Sequence, residues 1–155
     1  MSKNILIHLI ICGIGVFIGV SACIFFFVIH GNHEVGFWSI LSGIVAAVCF
    51  HLHWVKGKGT LVRWHSKTTL DVLNYIGFST ALCGFTAMIW YLFVTFYYNI
   101  PIEPLSTSTS ITAIYAMICG KWGIILTYHS HKFELIIQEQ QAPILTESNT
   151  QDLLY

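Results

Sequence analysis

The chain has 155 residues, of which 55% are hydrophobic and 9% are charged, with a mean hydropathy of +0.72 and a formal net charge of zero. Soluble proteins carry about 25% charged residues, so this composition excludes an ordinary soluble protein and predicts an all-α, polytopic membrane protein. The zero net charge argues against a nucleic-acid-binding protein, which needs a broad basic surface. The five cysteines lie in apolar runs, where we expect small buried hydrophobes rather than a metal or disulfide framework.

The first apolar segment, residues 5–29, is long enough to cross a bilayer, which takes about 20 residues. It also exceeds the apolar core of a signal peptide, about 7–15 residues, so we expect a membrane helix. Gly15 and Gly19 form a GxxxG step, which lets a neighbouring helix approach closely. His8 lies near the start of this segment, and we expect it at the membrane interface.

The second apolar segment, residues 36–55, ends with two histidines, His51 and His53. At 100° per residue, His53 falls on one narrow stripe of small residues, whereas His51 lies about 200° away. Small residues in membrane helices usually face other helices, so we expect His53 to point into the helix bundle. The residues of this stripe are Ser39, Ser42, Ala46, Cys49 and His53.

Positive charges set the predicted topology. Four of the seven lysines and arginines lie within residues 56–67, whereas the loops at 30–34 and 99–110 contain none. Lys and Arg are enriched in cytosolic loops, so we predict four membrane spans with both the N-terminus and the C-terminus in the cytosol. The predicted spans are about 5–29, 36–55, 72–97 and 111–128, which together form a membrane domain over 1–133, followed by a flexible cytosolic tail at 134–155.

Lys121 lies near the middle of the fourth predicted span, immediately before Trp122. A lysine at that depth costs about 2.5–3.5 kcal/mol on insertion scales, which favours either a functional role or snorkelling towards an interface. Lys121, Tyr128 and Lys132 are spaced by seven and four residues, so they share one stripe of the helix.

The candidate ligands gather at the two ends of the spans. Imidazole and phenolate are ligands of haem iron, lysines can pair with haem propionates, and Trp122 and Phe133 can pack on a porphyrin. The spans contain no carboxylate beyond Asp71 at a boundary, which counts against a carrier of zinc or manganese. The candidates at the cytosolic end are His51, His53, His65, Tyr128, His129, His131 and Lys132, and those at the other end are His30 and His33.

The chain contains no nucleophile triad, P-loop, HExxH motif or histidine-box cluster, so we do not expect an enzyme. Two alternatives to haem transport stay open from the residues alone. One is a membrane b-type haem protein with fixed haem for electron transfer. The other is a structural tetraspan protein with interfacial histidines and a snorkelling Lys121.

From the second span to residue 133, the chain resembles the small haem-responsive (HRG) haem transporters of animals. The resemblance rests on His53 eleven positions before Trp64, on the Lys121-Trp122 pair, and on the aromatic and basic segment Tyr128-His129-Ser130-His131-Lys132-Phe133. It implies movement of haem, as transported substrate, towards the cytosol. His53 would be the intramembrane iron ligand, Lys121 would offset propionate charge, and residues 128–133 would receive haem.

Two features depart from the family pattern. Residues 99–110 contain no histidine, so either His30 or His33 receives haem on the exoplasmic side or the capture is built differently. The 128–133 segment is also richer in histidine than the Arg-bearing family forms. Because four helices enclose little room for a porphyrin, a homo-oligomer with the pathway between subunits is a candidate arrangement. Both the plasma membrane and the endosome–lysosome membrane fit the sequence.

Overall fold

The fold is all-helical in the part of the chain that the structure describes. The computed structural model describes the backbone of residues 3–152 and the side chains of residues 3–139. In chain order the elements are α1 (Lys3–Ile24), a π-helical segment (Phe25–Ile29), α2 (His33–Gly57), the short α3 (Leu61–Trp64), α4 (Lys67–Tyr97) and α5 (Thr109–Asp152).

Four helical segments are long and apolar enough to cross a membrane. They are Lys3–Ile29, His33–Gly57, Lys67–Tyr97 and Thr109–Glu139. Each contains one of the four apolar segments predicted from the sequence, so the prediction of four long apolar helices in this order is confirmed. Each of these four segments extends beyond the predicted span by two to eleven residues at one or both ends. At the start of the third segment, for example, the polar residues Lys67 and Asp71 are already helical before the apolar run begins.

The last helix extends into the region predicted as a flexible tail at 134–155. α5 continues without interruption from the span to Asp152, and residues 153–155 lie outside the described residues. Phe133 and Ile137, one turn apart, are 1% and 0% exposed and belong to the same buried cluster as Leu61 and Leu70. The packing of these two side chains in one cluster with Leu61, which lies in the 57–67 connection, stabilises the helix beyond the span.

Glycines bring α1 and α2 into backbone contact. A Cβ added to Gly19 would lie 2.7 Å from the Gly43 Cα and 2.9 Å from the Ser39 carbonyl oxygen, so only glycine fits at this crossing. The sequence-predicted GxxxG step is therefore used inside the chain, as its role in close helix packing requires. Its other member, Gly15, leaves the space that the indole of Trp122 occupies.

A second set of glycines, the α4–α5 seam, joins the last two long helices. It consists of Gly77 and Gly84 on α4 with Gly120 and Gly123 on α5. α5 packs against α4 through this seam and also packs against α2, while α2 packs against α1. Because α1, α2 and α5 converge, the site described below forms among these three helices.

Candidate functional site

A cavity of about 260 Å³ opens at the end of the bundle where α1 begins and α2 ends. Three imidazoles, two ammonium groups and one aromatic ring line it, together with Asn4 and Ile5. α1 supplies His8, α2 supplies His53 and Lys56, and α5 supplies His129, Lys132 and Phe133. The sequence-predicted His53, His129, Lys132 and Phe133 therefore come together in one place.

The three imidazoles converge on one point. A ligating atom of each of His8, His53 and His129 lies within 4.8 Å of those of the other two. The ring centroids are 4.3 Å apart for His53 and His129, 5.0 Å for His8 and His53, and 5.2 Å for His8 and His129. His53 is buried, His129 is half-buried and His8 is exposed at the cavity mouth.

A backbone hydrogen bond fixes the protonation of the His53 ring. His53 Nδ1 lies 2.8 Å from the Cys49 carbonyl oxygen one turn earlier. Because a carbonyl oxygen only accepts, Nδ1 carries the proton and a neutral ring has its lone pair on Nε2. His53 is 2% exposed, and its Nε2 has no hydrogen-bond partner among the described residues. A buried, unpartnered lone pair is a ready ligand for a metal.

The stripe predicted for α2 explains why His53 is buried. Its five members are between 0% and 3% exposed, whereas His51 is exposed on another side of the helix. The His51 ring lies 5.5 Å from the His65 ring and 6.4 Å from the Trp64 ring, and outside the cavity. Burial, together with the neighbouring His51, lowers the pKa of His65 below its ordinary value. The stripe residues are Ser39, Ser42, Ala46, Cys49 and His53.

Two lysines make the cavity electropositive. Lys56 Nζ lies 4.3 Å from the centroid of the Phe133 ring, and Lys132 Nζ lies 5.9 Å from that of Tyr128. Both ammonium groups are thus held near aromatic faces, which attract cations weakly. None of the described residues that line the cavity carries a carboxylate, so an anionic group of a ligand would find no competing negative charge there.

Two further members of the 128–133 segment, Tyr128 and His131, face outwards, whereas Ser130 is buried. Tyr128 is 60% exposed, and its ring contacts His129 edge-on. His131 is exposed, and its Nδ1 lies 3.7 Å from Glu134 Oε2, while Lys67 Nζ lies 3.8 Å from the other oxygen of the same carboxylate. His131 therefore lies beside the 57–67 connection and outside the imidazole cluster.

Lys121 and Trp122 lie in a separate groove between α1 and α5, of about 270 Å³. The groove is lined mainly by isoleucines, with the exposed side chain of Lys121 at its edge. Trp122 is only 7% exposed and packs against Gly15. In this arrangement Trp122 fills the interface between two helices.

His33 lies at the opposite end of the bundle, where α2 begins. It lines an open cavity of about 360 Å³ together with Glu34 and the hydroxyl-rich residues 106–109. His30 hydrogen-bonds through Nδ1 to the Phe25 carbonyl oxygen at 3.2 Å. His30 and His33 therefore lie at the end of the bundle opposite to the cluster of three imidazoles.

His8 is the site residue that the sequence reasoning missed. We expected it at the membrane interface, with no partner named, and the structure shows that it faces His53 and His129. A signal was present, because His8 continues the inward-facing stripe of α1 at alternating steps of four and three residues. That stripe consists of His8, Cys12, Gly15, Gly19 and Ala22, and it continues to Phe26 in the π-helical segment.

No protein-family model matches the chain, and neither the curated proteins nor the solved structures include a significant match.

Proposed function

We propose that this protein is a multi-pass membrane transporter that moves haem towards the cytosol, with His53 as the intramembrane iron ligand. The observation that supports it most directly is the composition of one cavity. It combines an imidazole with a free, buried Nε2, two ammonium groups and an aromatic ring. These are the groups that a haem needs, because iron takes imidazole and the propionates take cations.

Charge supports the direction of movement. The end of the bundle that holds the cavity also holds the connection with Lys56, Lys58, Arg63 and Lys67, and clusters of this kind favour the cytosolic side. On this proposal both termini are cytosolic, the 128–133 segment receives haem, and His33 faces the exoplasmic or endolysosomal side. Lys121, in its groove closer to mid-span, offsets propionate charge along the route.

The imidazole geometry favours a cargo over a fixed cofactor. A b-type haem held by two histidines has one imidazole on each face of the porphyrin. The rings of His53 and His129 touch at 4.3 Å between centroids, which leaves no space for a macrocycle between them. Haem bound at His53 is therefore expected to have a single strong protein ligand in this conformation, and a single ligand releases more readily than two.

Rescue of haem-auxotrophic cells at limiting haem tests the proposal. We expect cells that express the protein to grow at haem concentrations at which cells with an empty vector do not. Purified protein should bind added haem and lose it on transfer to an excess of a haem-scavenging protein. Absence of rescue despite correct membrane expression would contradict transport, and haem that survives purification and resists the scavenger would instead indicate a fixed cofactor.

A further inference from the structure

The cluster holds one more imidazole than haem can use. Haem iron has two axial positions, on opposite faces of the porphyrin, and the macrocycle fills the other four. His8, His53 and His129 instead converge from three helices on one point, with ligating atoms within 4.8 Å of one another. Three imidazoles that converge on one point can instead bind a metal ion that has no macrocycle around it.

We propose that His8, His53 and His129 form a binding site for a divalent first-row transition-metal ion such as Zn²⁺. Three histidines with a fourth, open position are an established coordination set for zinc, and imidazole suits zinc, copper and nickel alike. The hydrogen bond from His53 Nδ1 to the Cys49 carbonyl oxygen is the kind of outer contact that orients a metal-binding histidine and leaves Nε2 for the ion.

Small movements complete the geometry. In a tetrahedral site with Zn–N distances of about 2.1 Å, the ligand nitrogens lie about 3.4 Å apart. The separations here are at most 4.8 Å, so none of them has to shorten by more than about 1.4 Å to reach this value. His8 can supply this shift because its side chain is exposed at the mouth of the cavity.

Two lysines near the site favour an anion as the fourth ligand of the metal ion. Lys56 and Lys132 line the same cavity, and no carboxylate among the described residues does. An ion held by three neutral imidazoles keeps both positive charges, so an anion such as hydroxide or chloride is favoured at the open position, where the ammonium groups stabilise it. The lack of carboxylates leaves the three imidazole ligands in place and favours an external anion as the fourth ligand.

A metal titration of the purified protein in detergent micelles tests the site in the absence of haem. We expect one Zn²⁺ per chain by calorimetry, and Co²⁺ should develop the visible absorption bands of a tetrahedral complex. Loss of a partner that only orients a ligand costs about 10–100-fold in affinity, so removing a ligand should weaken binding at least about 100-fold. This applies separately to His8→Ala, His53→Ala and His129→Ala.

His65→Ala is the matched control. His65 is an imidazole at the same end of the bundle, outside the cluster, and neither of its ring nitrogens has a partner among the described residues, so its removal leaves no group unpaired. We expect it to bind Zn²⁺ as the unmodified protein does. Because His8 is exposed, His8→Ala keeps the fold intact and carries the test even if His53→Ala does not fold. Equal binding by His8→Ala and the unmodified protein would overturn the site, as would an unmodified protein that binds no ion.

Competition with haem follows where the proposed function also holds. His53 cannot ligate both iron and a bare ion, so Zn²⁺ at about 100 times its own Kd should raise the apparent Kd for haem about 100-fold, measured by haem absorbance. The two proposals fail differently. Lack of cell rescue with intact Zn²⁺ binding removes haem transport alone, whereas rescue without Zn²⁺ or Co²⁺ binding removes the metal site alone.

Discussion

His53→Ala is expected to reduce the rescue of haem-auxotrophic cells to the level of an empty vector. The substitution removes the buried Nε2 that has no other partner in the described structure, and with it the iron ligand at the cavity. The fold should survive, since the Cys49 carbonyl oxygen that loses the side-chain hydrogen bond can still accept the backbone N–H of residue 53 within α2. The change also enlarges an existing cavity and does not create a new one in the core.

The measurement is growth at limiting haem, with membrane expression matched by immunoblot. His65→Ala is the control, because it removes an imidazole at the same end that lies outside the cavity. His53→Gln separates ligation from shape, since an amide keeps a polar side chain of similar size and is a poor iron ligand. Transport by His53→Ala at the level of the unmodified protein would disprove the assignment of the central ligand.

Gly84→Ala is expected to lower the stability of the helix bundle by about 1–3 kcal/mol, the usual range for forcing an extra methyl group into a packed interface. The new Cβ would lie 2.6 Å from the Gly120 nitrogen and 2.7 Å from the Ala116 carbonyl oxygen. Both are backbone atoms of α5 and cannot rotate away, so α4 and α5 must separate along the seam. The packing of α4 in the described structure is mainly with α5, which leaves little to compensate.

Gly13→Ala is the matched control, with an identical change of one methyl group in a membrane helix. Its Cβ would have the Phe50 side chain as nearest neighbour, at 3.9 Å, which is ordinary contact. Alanine favours helix over glycine by up to about 1 kcal/mol, so this variant should be as stable as the unmodified protein or slightly more so. Thermal unfolding in detergent micelles, followed by loss of the monodisperse peak in size-exclusion chromatography, distinguishes the two. Equal stabilities would mean that the seam tolerates a methyl group.

Periodicity within a single helix predicted the parts of the site that depend on one helix alone. The small-residue stripe of α2 placed His53 inwards and His51 outwards, and the structure agrees. Hydropathy likewise predicted the four long apolar helices in the right order. Both properties follow from local sequence, because the side-chain direction in a helix repeats with a fixed period.

The parts that were missed depend on contacts between helices. The position of His8 beside His129 depends on how α1 crosses α2 and α5, which is set by Gly15 meeting the Trp122 indole and Gly19 meeting Gly43. The continuation of α5 past residue 133 depends on Phe133 and Ile137 joining the cluster of Leu61 and Leu70. Neither is visible in the sequence of one helix, since each arises from distant residues.

The crossing at Gly19 and Gly43 also has a mechanical consequence for the cluster. Backbone meets backbone there, which makes this crossing the pivot for any small rotation of α1. His8 lies eleven residues from Gly19, a lever arm of about 16 Å at 1.5 Å per residue. A rotation of about 5° moves His8 by about 1.4 Å, close to the shortening that a tetrahedral ion requires. A small change in the angle between α1 and α2 thus changes the distance from His8 to the other two imidazoles.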